Sequence, residues 1–359
     1  MKKVIRPHAE DKYARELEAL KKMDKGEKPK GWELSPKSVV DYILGTELPD
    51  GTPIEAKYIG QRRAIEIAVA TLATDRALLL LGVPGTAKTW LAENLAAAIS
   101  GHSSLLVQGT AGLGEEALRY NWNYARLIAE GPSENALVPS PVMIGMQKGK
   151  MVRVEELTRI PSDIQDVLIT ILSEKVLSIP ELNQEIAAVP GFNIIATAND
   201  RDRGVNELSS ALRRRFNTLI MPLPEKLEEE VKIVSSKITD NPIPFKAIAE
   251  QDTLKEIERL VTIFRELRNG ITEDGTLKVK SPSGTLSAAE AISVVNNGLT
   301  MSHFFGDGRL SAKYLIDSIE GAVVQDRVQD QLIWNEYLET VVKERAEWKD
   351  LYEAALKKT

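Results

Sequence analysis

Apolar positions along this chain recur with two rhythms, and the change between them divides the sequence. From about Tyr58 to Pro222, short leucine-rich or β-branched runs alternate with amphipathic stretches. Ala77–Leu81, Leu105–Gln108, Met151–Glu155, Asn193–Thr197 and Thr218–Met221 read as strands, with helices at Arg62–Thr74 and Trp90–Ser100. That alternation predicts an α/β fold, a mainly parallel sheet covered by helices on both faces. Beyond Glu225 strand patterns nearly vanish. Leu254–Arg268, Ser287–Thr300, Ser311–Val328 and Ile333–Leu356 carry helical spacing, which predicts a separate helical domain. Before Tyr58, helical spacing at Tyr13, Leu17 and Leu20 predicts a helix from Glu10 to Met23, followed by a polar linker over residues 24–31. Ser35-Pro36 is a good helix start, a capping hydroxyl before a proline at the first helical position, and Gly45 is a good stop.

Composition narrows the class. At 359 residues and 43% hydrophobic content the chain is long enough for two or three units with real cores. No run is long and apolar enough to predict a membrane span, and the first residues lack the apolar stretch of a signal peptide, so the expectation is a soluble, cytoplasmic protein. Cysteine is absent, which excludes disulfides, thiol catalysis and cysteine-bound zinc. His8, His102 and His303 stand far apart in sequence, a poor basis for a histidine metal site. A net charge of −6 argues against a broad nucleic-acid surface.

The richest segment follows the first strand of the alternating region. Gly82-Val83-Pro84-Gly85-Thr86-Ala87-Lys88-Thr89 leads directly into a helix beginning with Trp90. A helix N-terminus has amides without intrahelical acceptors and the positive end of the dipole, so a polyphosphate fits there. Lys88 is placed to reach β- and γ-phosphates, and the Thr89 hydroxyl to hold Mg²⁺. Ala87 stands where a glycine is usual, which predicts a negative φ at that position. A glycine turn before an ordinary helix would read similarly. Three further signals join it. Glu155-Glu156 ends a strand, Glu155 suited to the metal's water shell and Glu156 to polarising a nucleophilic water. Arg153, in a strand predicted to be central, has no account from the sequence. Asn199 ends the next strand, where an amide can bridge water and γ-phosphate. Arg213-Arg214-Arg215 reads either as a basic helix end or as an arginine supplied to a neighbouring subunit's phosphate.

Taken in order, these residues make the chain resemble an AAA+ ATPase of the helix-2-insert group, most closely a MoxR-type ATPase. The resemblance rests on Tyr58-Ile59-Gly60-Gln61, the loop ending in Ala87-Lys88-Thr89, Glu155-Glu156-Leu157-Thr158-Arg159, the run to Asn199, and Arg214-Arg215-Phe216. It covers Tyr58 to about Pro222 well and the helical lid loosely. It implies ATP and Mg²⁺ as cofactors, with Ile59 and Gly60 lining the adenine pocket and Gly82, Pro84, Gly85, Thr86, Ala87, Lys88, Thr89 and Trp90 around the phosphates. Thr89 and Glu155 would face the metal. Glu156 would be the base, Gln108 the polar residue restraining it, Asn199 sensor 1, and Arg215 a finger acting in trans with Arg214 as helper. Glu155 replaces the family's aspartate. Ser287-Ala288-Ala289 lies where many relatives carry a sensor 2 arginine, which Arg309 could replace. The span from Gly109 to Pro141, with Tyr120, Trp122 and Tyr124, resembles the helix-2 insert, and packing explains those aromatics equally well. Val176–Ile179 and Glu185–Val189 read as a hairpin before the sensor 1 strand.

The implied architecture is a helical N-terminal extension over 1–52, a P-loop AAA+ core over 53–223, and an all-helical lid with C-terminal helices over 224–359. The resemblance implies a ring-forming Mg-ATP hydrolase, hexameric as MoxR relatives usually are, that remodels or assembles a protein partner as a chaperone, with a von Willebrand factor A domain protein as candidate partner. The alternatives are a nucleic-acid-dependent motor and a nucleotide-gated scaffold with weak hydrolysis. Asn199-Asp200-Arg201-Asp202 is not a guanine signature, which counts against a GTPase.

Overall fold

The computed structural model describes residues 4–199, 206–238 and 251–357, so Asp200, Arg201 and Asp202 lie outside the described residues. The chain divides into two compact units, one of Met1–Val83 with Ala87–Met221, the other of Pro222–Thr359 with Pro84–Thr86.

The first unit is built on a five-stranded sheet: β1 (Ala77–Leu81), β2 (Leu106–Gln108), β3 (Met151–Glu155), β4 (Asn193–Ala198) and β5 (Phe216–Ile220). Their spatial order is β5-β1-β4-β3-β2, and every neighbouring pair is parallel. The predicted parallel sheet is present. β4 is its central strand, and β3, expected at the centre, lies one place nearer the edge. Alternate side chains enter two cores. Leu78, Leu80, Met151 and Ile195 join one cluster, whereas Ala77, Leu79, Val152, Val154, Ile194 and Ala196 join the other.

The first cluster is dominated by α5 (Lys88–Ser100), which is apolar nearly all round, with Leu91, Leu95, Ala96, Ala98 and Ile99 fully buried. Its outer face is covered by α1 (Ala9–Lys12), α2 (Ala14–Met23), α3 (Pro36–Leu44) and α4 (Arg62–Leu72), whose Tyr13, Leu17, Val39, Tyr42, Ile43, Ile65 and Val69 belong to the same core. The expected first helix is interrupted at Tyr13, which separates α1 from α2. Ser35 caps α3 by accepting from the Ser38 amide at 3.4 Å, and Gly45 ends it. Lys57 is buried at the seam, its Nζ 2.6 Å from Glu16 and 4.1 Å from the Tyr13 ring centre. Burial pushes its ammonium below the ordinary lysine range, and Glu16 opposes that shift.

Among the described residues three small antiparallel pairs decorate this unit. Thr46–Glu47 pairs with Pro53–Ile54, and Tyr120–Trp122 with Leu137–Pro139. Val176–Ile179 pairs with Gln184–Ala187, the hairpin expected there.

The second unit is helical, as expected, and among its described residues the one strand-like feature is an isolated bridge between Ile271 and Lys278. Its long helices Gln251–Asn269 and Ala288–Phe305 share a core with Trp334 and Tyr337. Two boundaries differ from the sequence reading. The helix expected over Ser311–Val328 stops at Val323, because Asp330 accepts the amides of Gln325 and Asp326, and Asp326 those of Val328 and Gln329. The single helix expected over Ile333–Leu356 is broken into Gln329–Tyr337, a π turn at Leu338–Val342, a 3₁₀ turn at Ala346–Trp348, and Lys349–Leu356. Arg345 sits at the break, paired with buried Glu266 at 2.7 Å and stacked 4.2 Å from the Trp348 ring centre.

Candidate active site

The loop between β1 and α5 turns on two left-handed residues, Gly85 at φ 82° and Ala87 at φ 61°. The negative φ expected at Ala87 is therefore wrong. The turn into α5 keeps its left-handed geometry, and the alanine methyl is tolerated there, exposed, at an order of 1–2 kcal/mol. Such alternating backbone is the kind that forms anion concavities. Lys88, only 8% exposed, donates its ammonium to the carbonyls of Gly82 at 2.8 Å and Val83 at 2.7 Å. The Gly82 amide donates to Ala198 O at 3.3 Å, joining the loop's start to the end of β4, where Asn199 follows half-buried.

Thr89 and Glu155 meet, the hydroxyl donating to Glu155 Oε2 at 2.8 Å. The carboxylate's other oxygen, Oε1, accepts from Arg153 Nη1 at 2.6 Å, and Arg153 Nε donates to Ser103 O at 2.9 Å. Arg153 and Glu155 point to the α5 face of β3 as i and i+2 neighbours, 4% and 6% exposed. The arginine that the sequence left without a role is therefore the counterion of Glu155.

Glu156, at φ 53° and ψ 46°, turns away from the strand in the left-handed region. Its amide donates to Thr197 Oγ1 at 3.1 Å, and its carboxylate pairs with Arg159 at 2.9 Å. Gln108 lies opposite Glu155 across the β2–β3 register and is exposed. Arg159, a motif residue with no role of its own legible in the sequence, is the ion-pair partner of Glu156. Gly109 makes the close approach possible: a Cβ there would lie 2.2 Å from Glu156 O.

The remaining candidates separate. Ile59 is half-buried and Gly60 exposed, both just after Lys57. Trp90 donates its indole N–H to Lys57 O at 2.8 Å and sets its ring edge-on to Tyr13, 6.4 Å between centres, so its side chain braces the helices. Arg215 donates to Ser173 Oγ at 2.9 Å and to Ala211 O at 2.6 Å, whereas Arg214 is exposed. In the second unit Arg259, Arg265, Arg268 and Arg345 are held in ion pairs and Arg309 is exposed. Of the aromatics between Gly109 and Pro141, Tyr120 and Trp122 pack edge-on at 5.9 Å, and Tyr124 is 67% exposed.

The donor set fits a magnesium nucleotide. Helix amides and Lys88 suit phosphate, and Thr89 with Glu155 offers hard oxygens, leaving the other positions to phosphate and water. Among the described residues no cluster of three or more His, Asp or Glu could hold a metal unaided. Nor is any described helix long and apolar enough to cross a membrane.

Residues 77–216 match the model of the AAA domain, dynein-related subfamily, and residues 228–357 match the YehL-like AAA+ ATPase C-terminal domain. The chain is 40% identical to the uncharacterized protein YehL of Escherichia coli (strain K12), across 97% of this chain and 96% of that one. It belongs to the YehL-like AAA+ ATPases. An uncharacterized protein of Staphylococcus aureus (strain COL) is 26% identical over 60% of this chain and 77% of its own length. Among solved structures, a RuvB mutant from Thermotoga maritima superposes with a TM-score of 0.46 at 16% identity, covering 88% of this chain and 91% of that one. In this YehL-like AAA+ ATPase the candidate site residues Gly82 to Thr89, Glu155, Glu156 and Asn199 stand at the C-terminal ends of β1, β3 and β4 and at the head of α5, where open parallel sheets bind ligands.

Proposed function

We propose that this protein binds and hydrolyses Mg²⁺-ATP at the β1–α5 loop, within a ring, and uses the cycle to remodel a protein partner. The observation that carries the reading is the Thr89–Glu155 contact at the head of α5, with Lys88 folded into the loop beside it. In this reading Lys88 exchanges its carbonyl partners for phosphate oxygens. Thr89 and Glu155 would hold Mg²⁺, which would supply charge neutralisation for those oxygens. Glu156 leaves Arg159 and accepts the proton of the attacking water, while Asn199 orients that water. Ile59 and Gly60 flank the adenine. Arg215, with Arg214, serves a neighbouring subunit. A hexameric ring, a chaperone role and a partner with a von Willebrand factor A domain rest on the resemblance to MoxR-type ATPases. The proposed domain limits are 1–52, 53–223 and 224–359.

The test is ATP turnover per subunit across protein concentration, with assembly mass followed in the same samples. Turnover rising with assembly is the expected result; appreciable constant turnover in a monomer sinks the shared-site reading. Lys88→Ala should lose nucleotide binding, and Glu156→Gln should bind ATP yet stall. One observation favours a second reading, a nucleotide-gated scaffold: Arg215 is tied to Ser173 and Ala211 of its own chain. Tight binding with negligible turnover in assembled protein would select it.

A further inference from the structure

We propose that Arg153 is a positioning residue for the metal site: it fixes one oxygen of Glu155 so that the other faces Thr89, and so sets the Mg²⁺ concentration at which nucleotide is held. The inference rests on the nucleotide reading above and deepens it.

Three observations converge on it. The two oxygens of Glu155 are divided between partners, Oε1 to Arg153 and Oε2 to Thr89. Arg153 is itself pinned at a second point, Nε on the Ser103 carbonyl at 2.9 Å, so its guanidinium bridges a backbone atom and the carboxylate. Both side chains are more than nine-tenths buried, where an unpaired charge is expensive and a planar guanidinium suits two-point contact. A glutamate has one more rotatable bond than an aspartate, and the second anchor removes that freedom. Arg153 holds the Glu155 oxygen that Thr89 does not, and so acts through the carboxylate.

The anchorage continues outward. The Ser103 hydroxyl donates to Glu10 Oε2 at 2.5 Å and its amide to Glu10 Oε1 at 3.0 Å. One line of contacts therefore runs from α1 through Ser103, Arg153 and Glu155 to Thr89.

The experiment is binding of a fluorescent ATP analogue to the full chain, titrated with Mg²⁺ and repeated in EDTA. Arg153→Met should raise the half-saturating Mg²⁺ about 10- to 100-fold, the usual effect of losing a partner behind a metal ligand, with binding in EDTA unchanged. Arg153→Lys should recover part of that loss, because an ammonium cannot bridge both points. A folded Arg153→Met protein with unchanged or lower half-saturating Mg²⁺ overturns the proposal. Should Arg153→Met fail to fold, Arg153→Lys carries the test alone: a smaller rise in half-saturating Mg²⁺ with binding in EDTA unchanged is expected, and an unchanged value overturns the proposal. If the wild-type protein binds no nucleotide under either condition, the underlying reading fails and this one with it, a result distinct from an Mg²⁺-insensitive variant.

Discussion

At Ala87 the backbone holds a conformation that its side chain resists. The loop's left-handed turn imposes φ 61°, at a cost of order 1–2 kcal/mol for a non-glycine residue, and glycine would remove that strain while gaining about 0.4–1 kcal/mol of unfolded-state entropy. Ala87→Gly should therefore stabilise the first unit by about 0.5–1 kcal/mol, read as a higher urea midpoint; a lower midpoint would show that the alanine methyl makes a compensating contact. Glu156 is the second non-glycine residue of the site in the left-handed region, and it too departs from regular backbone where chemistry is proposed. The sequence made the types of these residues readable and their conformations not. Lys88, Thr89 and Glu155 follow a spacing that phosphate chemistry requires, whereas φ at Ala87 depends on how loop and helix join. Arg153 was illegible for another reason. Its partner Ser103 is 50 residues away, and only the β2–β3 register brings the two together.

At the scale of elements, the α1 helix and the Ser103 turn meet through one carboxylate. Burial pushes Glu10 up, but the Ser103 hydroxyl and amide outweigh it and hold the group below its ordinary 4.5. A carboxyl lowered in the folded state adds stability above its unfolded value and loses it as pH falls through the folded value. Glu10→Gln should thus cost about 1 kcal/mol near neutral pH, after allowing for partial exposure, and the difference from wild type should close in acid below pH 4.5. Thermal melts of both proteins across pH check this, and a gap that persists in acid would assign the contact to shape alone. Deeper in the same interface, the Tyr42 hydroxyl donates to Asn94 Oδ1 at 3.0 Å with both residues buried. Tyr42→Phe leaves that acceptor alone and should cost about 1–3 kcal/mol in chemical denaturation. Elements with strong local signals were legible: β1 and β3 have the limits read from their apolar runs, and Ser35-Pro36 begins α3. The short pairs at Thr46–Glu47 and Tyr120–Trp122 were not, because two or three residues carry no period. The break after Tyr337 was hidden as well, since Glu266 and Trp348 hold Arg345 there without any glycine or proline to announce it.

For the whole molecule, stability is held in separate cores, and in the proposed reading the nucleotide is held through Lys88 and Thr89 of the first unit. Saturating Mg²⁺-ATP at about 100 times its Kd should add about 2.7 kcal/mol to unfolding of the nucleotide-bound form, and Lys88→Ala should abolish that gain. Equal stabilisation of the variant would place the nucleotide elsewhere. Mixing Arg215→Ala with Glu156→Gln protein should restore partial turnover if neighbouring subunits share sites; no recovery under confirmed mixing would argue against a finger in trans. The way α5 is wrapped has a practical corollary for anyone dissecting the protein. α1, α2 and α3 contribute Tyr13, Leu17, Val39 and Ile43 to the core that covers it, so shortening the polypeptide to begin at residue 53 would lay bare an alanine- and leucine-rich cylinder. Such a fragment should come out of cells as aggregate, and its silence in an enzymatic assay would say nothing about catalysis.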